Sequence, residues 1–421
     1  MTWRYLPLRE VAPPAPSELQ FAPEDSVWHL TLDQIESHTG RIVNKRVAVA
    51  GEAGNSTFTF DSGNVLYSKL RPYLNKVVLP SEPGVATTEL VPLRPIPGVL
   101  LSDFLAYYLR SPEFVGFAEE CVAGAKMPRV IMSQFWEKSI PLPPPSEQRR
   151  IVQILDQASA LRRKRAEADA LADRILPAVF NTMFGDPTTN KQRWSMGKLG
   201  DVIHEGPQNG LYKPSSDYGT GTPILRIDGF YDGTLVPERM LKRVRLSETE
   251  IAAYRLKLND IVINRVNSPE FLGKSALITG LDEATVYESN MMRFAIDKGA
   301  VTPEYVINLL QSPATKAFFL QRSKRAVNQA SINQEDVRSL PIPIPPLELQ
   351  REFSKKAWHI SAIVVKQRLA TKNVIGLFEF LLQRAFSGTL TVRWCEAHLK
   401  ELLAEMELQA RLLGDSRLEP V

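Results

Sequence analysis

The sequence predicts an α+β protein with a pseudo-twofold internal repeat: two similar globular modules joined by two long antiparallel coiled-coil spacer helices. Three observations predict it. A proline-rich segment ending in Gln-Arg occurs twice, each occurrence opens a long heptad-spaced stretch, and the residues upstream of each begin alike.

The segment Pro141-Leu-Pro-Pro-Pro-Ser-Glu-Gln148-Arg149-Arg-Ile151 matches Pro343-Ile-Pro-Pro-Leu-Glu-Leu-Gln350-Arg351-Glu-Phe353 at an offset of 202, from 141 to 343. Upstream, Trp3-x4-Leu8-x-Glu10-Val11 matches Trp194-x4-Leu199-x-Asp201-Val202 at an offset of 191. Weaker echoes keep the same order: Asn64 to Lys69 with Asp260 to Arg265, Leu74-Asn-Lys76 with Leu272-Gly-Lys274, and Leu109-Arg-Ser-Pro112 with Leu310-Gln-Ser-Pro313. Repetition of whole supersecondary units in order implies one fold used twice.

Proline is tolerated at a helix start, and Ser146 or Glu348 could cap the first turn. In the first stretch the seam positions include Ile151, Ile154, Leu161 and Ile175; in the second they include Phe353, Ile360, Val364 and Phe378. Each sustains the alternating three-and-four spacing of a coiled-coil seam for about four heptads. Pro177 should kink or break the first helix near residues 173–176, since it lacks an N–H and its ring clashes with the preceding turn. Both helices then stop at glycine, at Phe184-Gly185 and Phe386-Ser387-Gly388. Heptad helices can pair with another chain, but connectivity favours pairing within this one. The first leaves module one and feeds module two, so the second packs on it only by running back. At 1.5 Å per residue, helices near 40 residues are roughly 55 to 60 Å long.

The expected divisions are a first module over 1–140, a first spacer helix over 141–187, a second module over 188–340, a second spacer over 341–389 and an amphipathic helical tail over 390–421. Strands are expected at 64–67, 76–79, 90–93, 224–227, 260–263 and 291–296, with short helices at 102–110 and 303–311. The tail places Trp394, Leu399, Leu402, Leu403, Met406 and Leu413 on one face, to dock on module one or on a partner.

Composition narrows the function class. The 421 residues are 44% hydrophobic and 23% charged, as in an ordinary folded protein. Lys plus Arg exceeds Asp plus Glu by only 4, so a nucleic-acid surface has to be a local patch. Two cysteines, no secretory leader and no long apolar run set a reduced, cytoplasmic expectation. Catalytic signatures are absent. Gly273-Lys274-Ser275 resembles the tail of a phosphate loop, but Ser268 stands where that loop needs glycine. No glycine-rich dinucleotide turn occurs, and the five histidines are dispersed, so neither a cofactor nor a metal is expected.

Polar and basic loops recur at matching places in both modules. Module one offers Lys69, Arg71, Tyr73 and Lys76, then Lys126 and Arg129. Module two offers Gln208, Asn209 and Tyr212, then Arg265 and Asn267, then Lys324, Arg325, Asn328 and Gln329. Arg and Lys suit phosphates and guanine edges, whereas Asn and Gln suit adenine, so these are the side chains that base reading requires.

At this point the sequence resembles the DNA-specificity subunits of type I restriction-modification systems. The likeness is carried by the two Pro-x-Pro-Pro to Gln-Arg segments, the Phe184-Gly-Asp-Pro and Ala385-Phe-Ser-Gly388 ends and the repeated Trp-x4-Leu starts, and it covers essentially the whole chain. It implies that each module is a target recognition domain for one half of a split, asymmetric DNA site. The helices would then set the gap between halves and dock two methyltransferase subunits, with a restriction or translocase subunit as a further partner. S-adenosylmethionine, ATP and Mg would belong to those partners, and this chain would catalyse nothing. The rival readings are a solitary DNA-modifying enzyme, a repeat scaffold with no nucleic-acid role, and a specificity subunit of a methylation-only system.

Overall fold

The computed structural model describes residues 3–54, 56–231 and 233–414. The chain forms two compact units, Met1–Ala166 with Ala370–Val421, and Glu167–Leu369. Each unit contains one globular module and one stretch of each long helix.

In the first unit, the strand Arg4–Pro7 pairs antiparallel with Ser139–Leu142, Arg4 opposite Leu142, which closes the module's two ends on each other. The run Val65–Ser68 is buried at every position, as a continuous apolar strand should be, and lies between Val77–Val78 and Leu90–Leu93. A four-stranded sheet runs in the order Val47–Val49, Ser26–Leu30, Gly84–Thr87, Thr57–Phe60. Its central pair is parallel, Trp28 opposite Gly84. Helices Ser102–Leu109 and Pro112–Glu120 follow. The second of them starts at Ser111, whose hydroxyl accepts the Phe114 N–H, with proline at the first helical position.

The second unit repeats this order. Ser195–Lys198 pairs with Pro341–Ile344, and Tyr218–Leu225 lies between antiparallel Lys242–Val244 and parallel Val286–Tyr287. Ile261–Asn264, again wholly buried, sits between Met291–Ile296 and Ser275–Leu277. Helices Pro303–Leu310 and Pro313–Arg322 follow, the second capped by Ser312. The strand Thr57–Phe60 has no counterpart here among the described residues, while Ile203–Asn209 adds a strand to the other sheet. The expected strands fall within a few residues of those observed, except that the one placed at 224–227 runs over Tyr218–Leu225.

The long helices are Pro145–Phe184 and Leu347–Phe386, 40 residues each. Inside the first unit, Arg165 Nε donates to Thr371 Oγ1 at 2.9 Å and the Arg162 guanidinium lies 4.3 Å from the Phe378 ring centre, so the two stretches run antiparallel. Inside the second, Arg368 reaches Asp173 at 3.3 Å, and Phe180 and Phe184 pack edge-on against Phe353. Ile151, Phe353 and Phe378 are buried, and Ile154, Ile360 and Val364 are half-buried. Two seam assignments are corrected: Leu161 is 48% exposed and Ile175 is 47% exposed. Leu155 and Phe180 are the buried residues instead, because the stripe drifts around a helix of 3.6 residues per turn faster than a strict heptad allows. Nor does the first helix break at Pro177, which lies on an exposed face inside the unbroken helix.

The proline segment has a local structural meaning. Gln148 is fully buried: its side-chain oxygen accepts the Leu101 N–H at 2.8 Å, and its amide donates to the carbonyls of Val99 and Pro143. Gln350 accepts the Thr302 N–H at 2.9 Å and donates to the Pro345 carbonyl. Each glutamine therefore satisfies backbone groups just ahead of its module's helix pair and in the proline turn, seating the helix on the module.

The tail forms two helices, Val392–Ala397 and Leu399–Leu412, separated at His398, in place of the single helix expected. It docks on module one. Gln409 donates to the same Val99 and Pro143 carbonyls as Gln148, and the Glu405 carboxylate accepts the Ser146 N–H and hydroxyl. Ser146 is thus held by Glu405. Leu402 is buried, whereas Leu399 and Leu403 face outward.

Candidate nucleic-acid interface

Both modules build the same three-layer strip beside the end of their central strand. In module one, residues 69–71 leave the strand Val65–Ser68 and pass between the 87–90 turn and a hairpin made by Val122–Ala123 and Arg129–Val130. Lys69 N–H donates to the Glu89 carbonyl, Val130 N–H to the Lys69 carbonyl, and Arg71 N–H to the Pro128 carbonyl. In module two, Arg265 N–H donates to the Asn290 carbonyl and Ile332 N–H to the Arg265 carbonyl, and Val266–Asn267 pairs with the hairpin Lys324–Ala326 and Gln329–Ser331. These bonds set Glu89 against Asn290 and Arg129 against Ser331 as corresponding positions.

The strip collects most of the residues singled out from sequence. Lys69, Arg71, Lys126 and Arg129 lie on it in module one, with Arg71 in the left-handed region at φ 50° and Lys126 exposed in the hairpin loop. Tyr73 is exposed in the turn that follows Arg71. In module two, Arg265, Asn267, Lys324, Arg325, Asn328 and Gln329 share the strip, and the hairpin tip presents Val327, 93% exposed, beside Asn328 at φ 58°. Asn209 and the 78% exposed Tyr212 reach the same neighbourhood. Gly210 and Leu211 bond to the Met291 and Tyr287 carbonyls, flanking the turn that carries Asn290.

Several of these side chains are already engaged. Lys76 Nζ donates to the Leu32 carbonyl at 2.6 Å and is half-buried. Gln208 donates to the Ala253 carbonyl at 3.3 Å, and Arg265 Nη1 to the Ser289 carbonyl at 3.1 Å. The Asn267 side-chain oxygen accepts the Ser268 N–H. Lys274, of the phosphate-loop-like triplet, donates to the Ile227 carbonyl and lies over the Phe230 and Tyr231 rings. Arg129 makes an ion pair with Glu89: its Nε lies 3.2 and 3.1 Å from the two carboxylate oxygens, and its Nη2 lies 2.9 Å from one of them. That hydrogen-bonded pairing holds the Glu89 carboxyl below its ordinary range and Arg129 above its own.

Glu89 and Asn290 were not legible in the sequence. A glutamate in a basic loop carries no motif, and only the hydrogen bonds linking the 87–90 turn to residue 69 put it on the strip. Among the described residues no group of three His, Cys, Asp or Glu side chains could hold a metal ion, and no helix is long and apolar enough to cross a membrane.

Comparison with known proteins follows the internal repeat. The family model described as the type I restriction modification DNA specificity domain matches residues 38–168 and 191–357, once in each half and over more than half of the chain. The putative type I restriction enzyme MjaX specificity subunit of Methanocaldococcus jannaschii is 34% identical over 162 residues, a match spanning 38% of this chain and 38% of that protein. The type I restriction enzyme EcoKI specificity subunit of Escherichia coli K12 is 27% identical over 338 residues, 76% of this chain and 72% of that protein. Two solved structures share the fold. One, from work on the assembly and conformational transition of the type I R-M system, has a TM-score of 0.58 at 20% identity over 92% of this chain and 98% of that one. The other, the type I restriction-modification S subunit of M. genitalium, has a TM-score of 0.54 at 12% identity over 92% and 96%.

Proposed function

This chain belongs to the type I restriction modification DNA specificity family, and on that premise we propose that its two modules each read one half of a split, asymmetric site in double-stranded DNA. The carrying observation is the strip present in both modules with the same backbone bonds and different side chains. Module one presents Glu89, Lys126 and Arg129 where module two presents Asn290, Asn328 and Ser331. The same scaffold aimed at DNA with unlike donor and acceptor sets selects unlike base pairs. Lys69, Arg71, Lys126, Lys324 and Arg325 supply phosphate contacts; Arg129, Asn209, Asn290, Asn328 and Gln329 supply base-edge chemistry.

The helices are the docking surface for the modification subunits in this reading. Trp358, 69% exposed, Val365 and Leu369 recur at seven and four residues on the second helix, a stripe left to solvent within the second unit. Leu377 and Phe380 are exposed on the same helix in the first unit. Two methyltransferase subunits, one per unit, suit the repeat, and a restriction or translocase subunit would join through them. The chain itself would catalyse no reaction; S-adenosylmethionine, ATP and Mg would be bound by its partners, in the cytoplasm.

The test is DNA binding by the chain reconstituted with its modification subunits. Site-selective binding whose logarithm falls linearly with the logarithm of salt concentration is expected. Binding without sequence preference, or none, would refute the reading.

A further inference from the structure

We propose that the Glu89–Arg129 pair is a base-reading device: the carboxylate holds the guanidinium so that its free end reads a guanine in the half-site of module one. This rests on the DNA-reading role assigned to the strip, and adds which base is read there and by what geometry.

Arginine offers two paired faces, a side face made by Nε and Nη2 and an end face made by Nη1 and Nη2. Glu89 occupies the side face, with contacts of 3.2 and 3.1 Å to Nε and 2.9 Å to Nη2. Among the described residues Nη1 has no partner, so the end face is open. The Arg129 side chain is partly exposed and that of Glu89 less so, which puts the cation on the solvent side of the pair. The end face presents two parallel N–H groups, the complement of guanine N7 and O6 in the major groove.

A carboxylate on a basic strip would otherwise oppose DNA binding, since it repels phosphates. Its placement is explained if it acts on the arginine. The backbone on both sides is fixed: Lys69 N–H binds the Glu89 carbonyl, and Lys69 carbonyl accepts from Val130, the neighbour of Arg129. The two ends of the ion pair are thereby anchored to one backbone segment, 69–71, and the guanidinium plane is set before DNA arrives. A pre-set fork loses less freedom on binding than a mobile one. Lys69 and Arg71 on the same run balance the carboxylate's charge toward the phosphates.

Module two corroborates the assignment by contrast. Asn290 and Ser331 stand at the corresponding places, so this pair cannot form an ion pair, and the half-buried Asn290 carries a neutral amide in place of the carboxylate. The two half-sites should therefore differ at this position, the first carrying a G·C pair that the second does not require.

The test uses the full chain with its modification subunits, acting on a library in which each half-site is randomised in turn, with methylated molecules sequenced. Arg129→Ala should relax one G·C position in one half-site by about 10- to 100-fold and leave the other half-site unchanged. Arg129→Lys should fail to restore it, because an ammonium cannot give two coplanar N–H bonds. Glu89→Gln should relax the same position by a smaller factor while total DNA affinity stays constant or rises. Methylation of the unaltered half-site preference by each variant shows that it has folded and assembled. Loss spread evenly over the half-site in Arg129→Ala, or a Glu89→Gln profile identical to the parent, would overturn the proposal. Arg71→Ala and Lys126→Ala in the same assay separate the two ideas. If they weaken the first half-site evenly while Arg129→Ala shifts no base, only the guanine assignment fails; if none of the three affects either half-site, the strip itself is misassigned.

Discussion

Gln148 and Gln350 do the same work in the two halves of the chain: each lies at zero exposure, accepts an N–H from the residues leading into its module's helix pair and donates to the carbonyl of its own proline turn. The difference between them lies in the tail. Gln409 also donates to the Val99 and Pro143 carbonyls, so those acceptors keep a partner if Gln148 is removed. Gln350→Ala should therefore cost roughly 2 to 6 kcal/mol, the desolvation of two buried backbone groups, and Gln148→Ala only about 1 to 3 kcal/mol, for the Leu101 N–H. Denaturant unfolding of the two variants checks the order; equal costs would mean the tail does not share the acceptors.

Phe353 is the centre of an aromatic cluster with Phe180 at 5.5 Å and Phe184 at 5.3 Å between ring centres, and it has no exposed surface. Phe353→Ala should destabilise the second unit by about 3 to 5 kcal/mol. Urea unfolding reads this directly, and a loss below 1 kcal/mol would show that the helix start is not packed as described.

Acid should loosen the turn at residues 36–41. Arg41, then Thr39, hydrogen-bond the Glu36 carboxylate and hold its pKa down from 4.5 to about 2. Because the folded value is depressed, the contribution is complete above about pH 4.5 and is lost as pH falls toward 2. The group is partly exposed, so solvent screens the pair and the effect is small. Glu36→Gln should lower the melting temperature slightly at pH 7 and not at pH 2; a gap that persists at pH 2 would contradict the assignment.

Phosphate contacts should separate by module. Lys126→Ala is expected to weaken recognition of one half-site only, and Lys324→Ala or Arg325→Ala the other, each lowering the slope of affinity against salt by about 1. Binding measured on sites with one half scrambled tests it. A variant that weakens both halves equally would contradict the one-module, one-half assignment.

The repeat, the two helix lengths and the position of most strands were legible because each rests on local spacing: the two Pro-x-Pro-Pro segments, the apolar runs at 65–68 and 261–264, and the Leu-x-Ser-Pro echoes at 109–112 and 310–313. The seam was misread at Leu161 and Ile175, where heptad counting ignores the drift of a 3.6-residue turn. Pro177 proved tolerable because it sits on an exposed face of a helix held at both ends. Of the site, the basic loops could be found as composition, but Lys76 is engaged by the Leu32 carbonyl and Arg129 by Glu89, 40 positions away. Pairings that distant depend on how the 87–90 turn meets residue 69, and no periodicity records that.

Two copies of one reader should address two unlike half-sites. Sequencing modified DNA from cells that carry this chain with its modification subunits tests it most directly. A single motif of two unlike specified halves separated by unread bases is expected, with only one half altered when the hairpin at 122–130 is changed. A continuous motif, a palindromic one, or a hairpin change that alters both halves would contradict it.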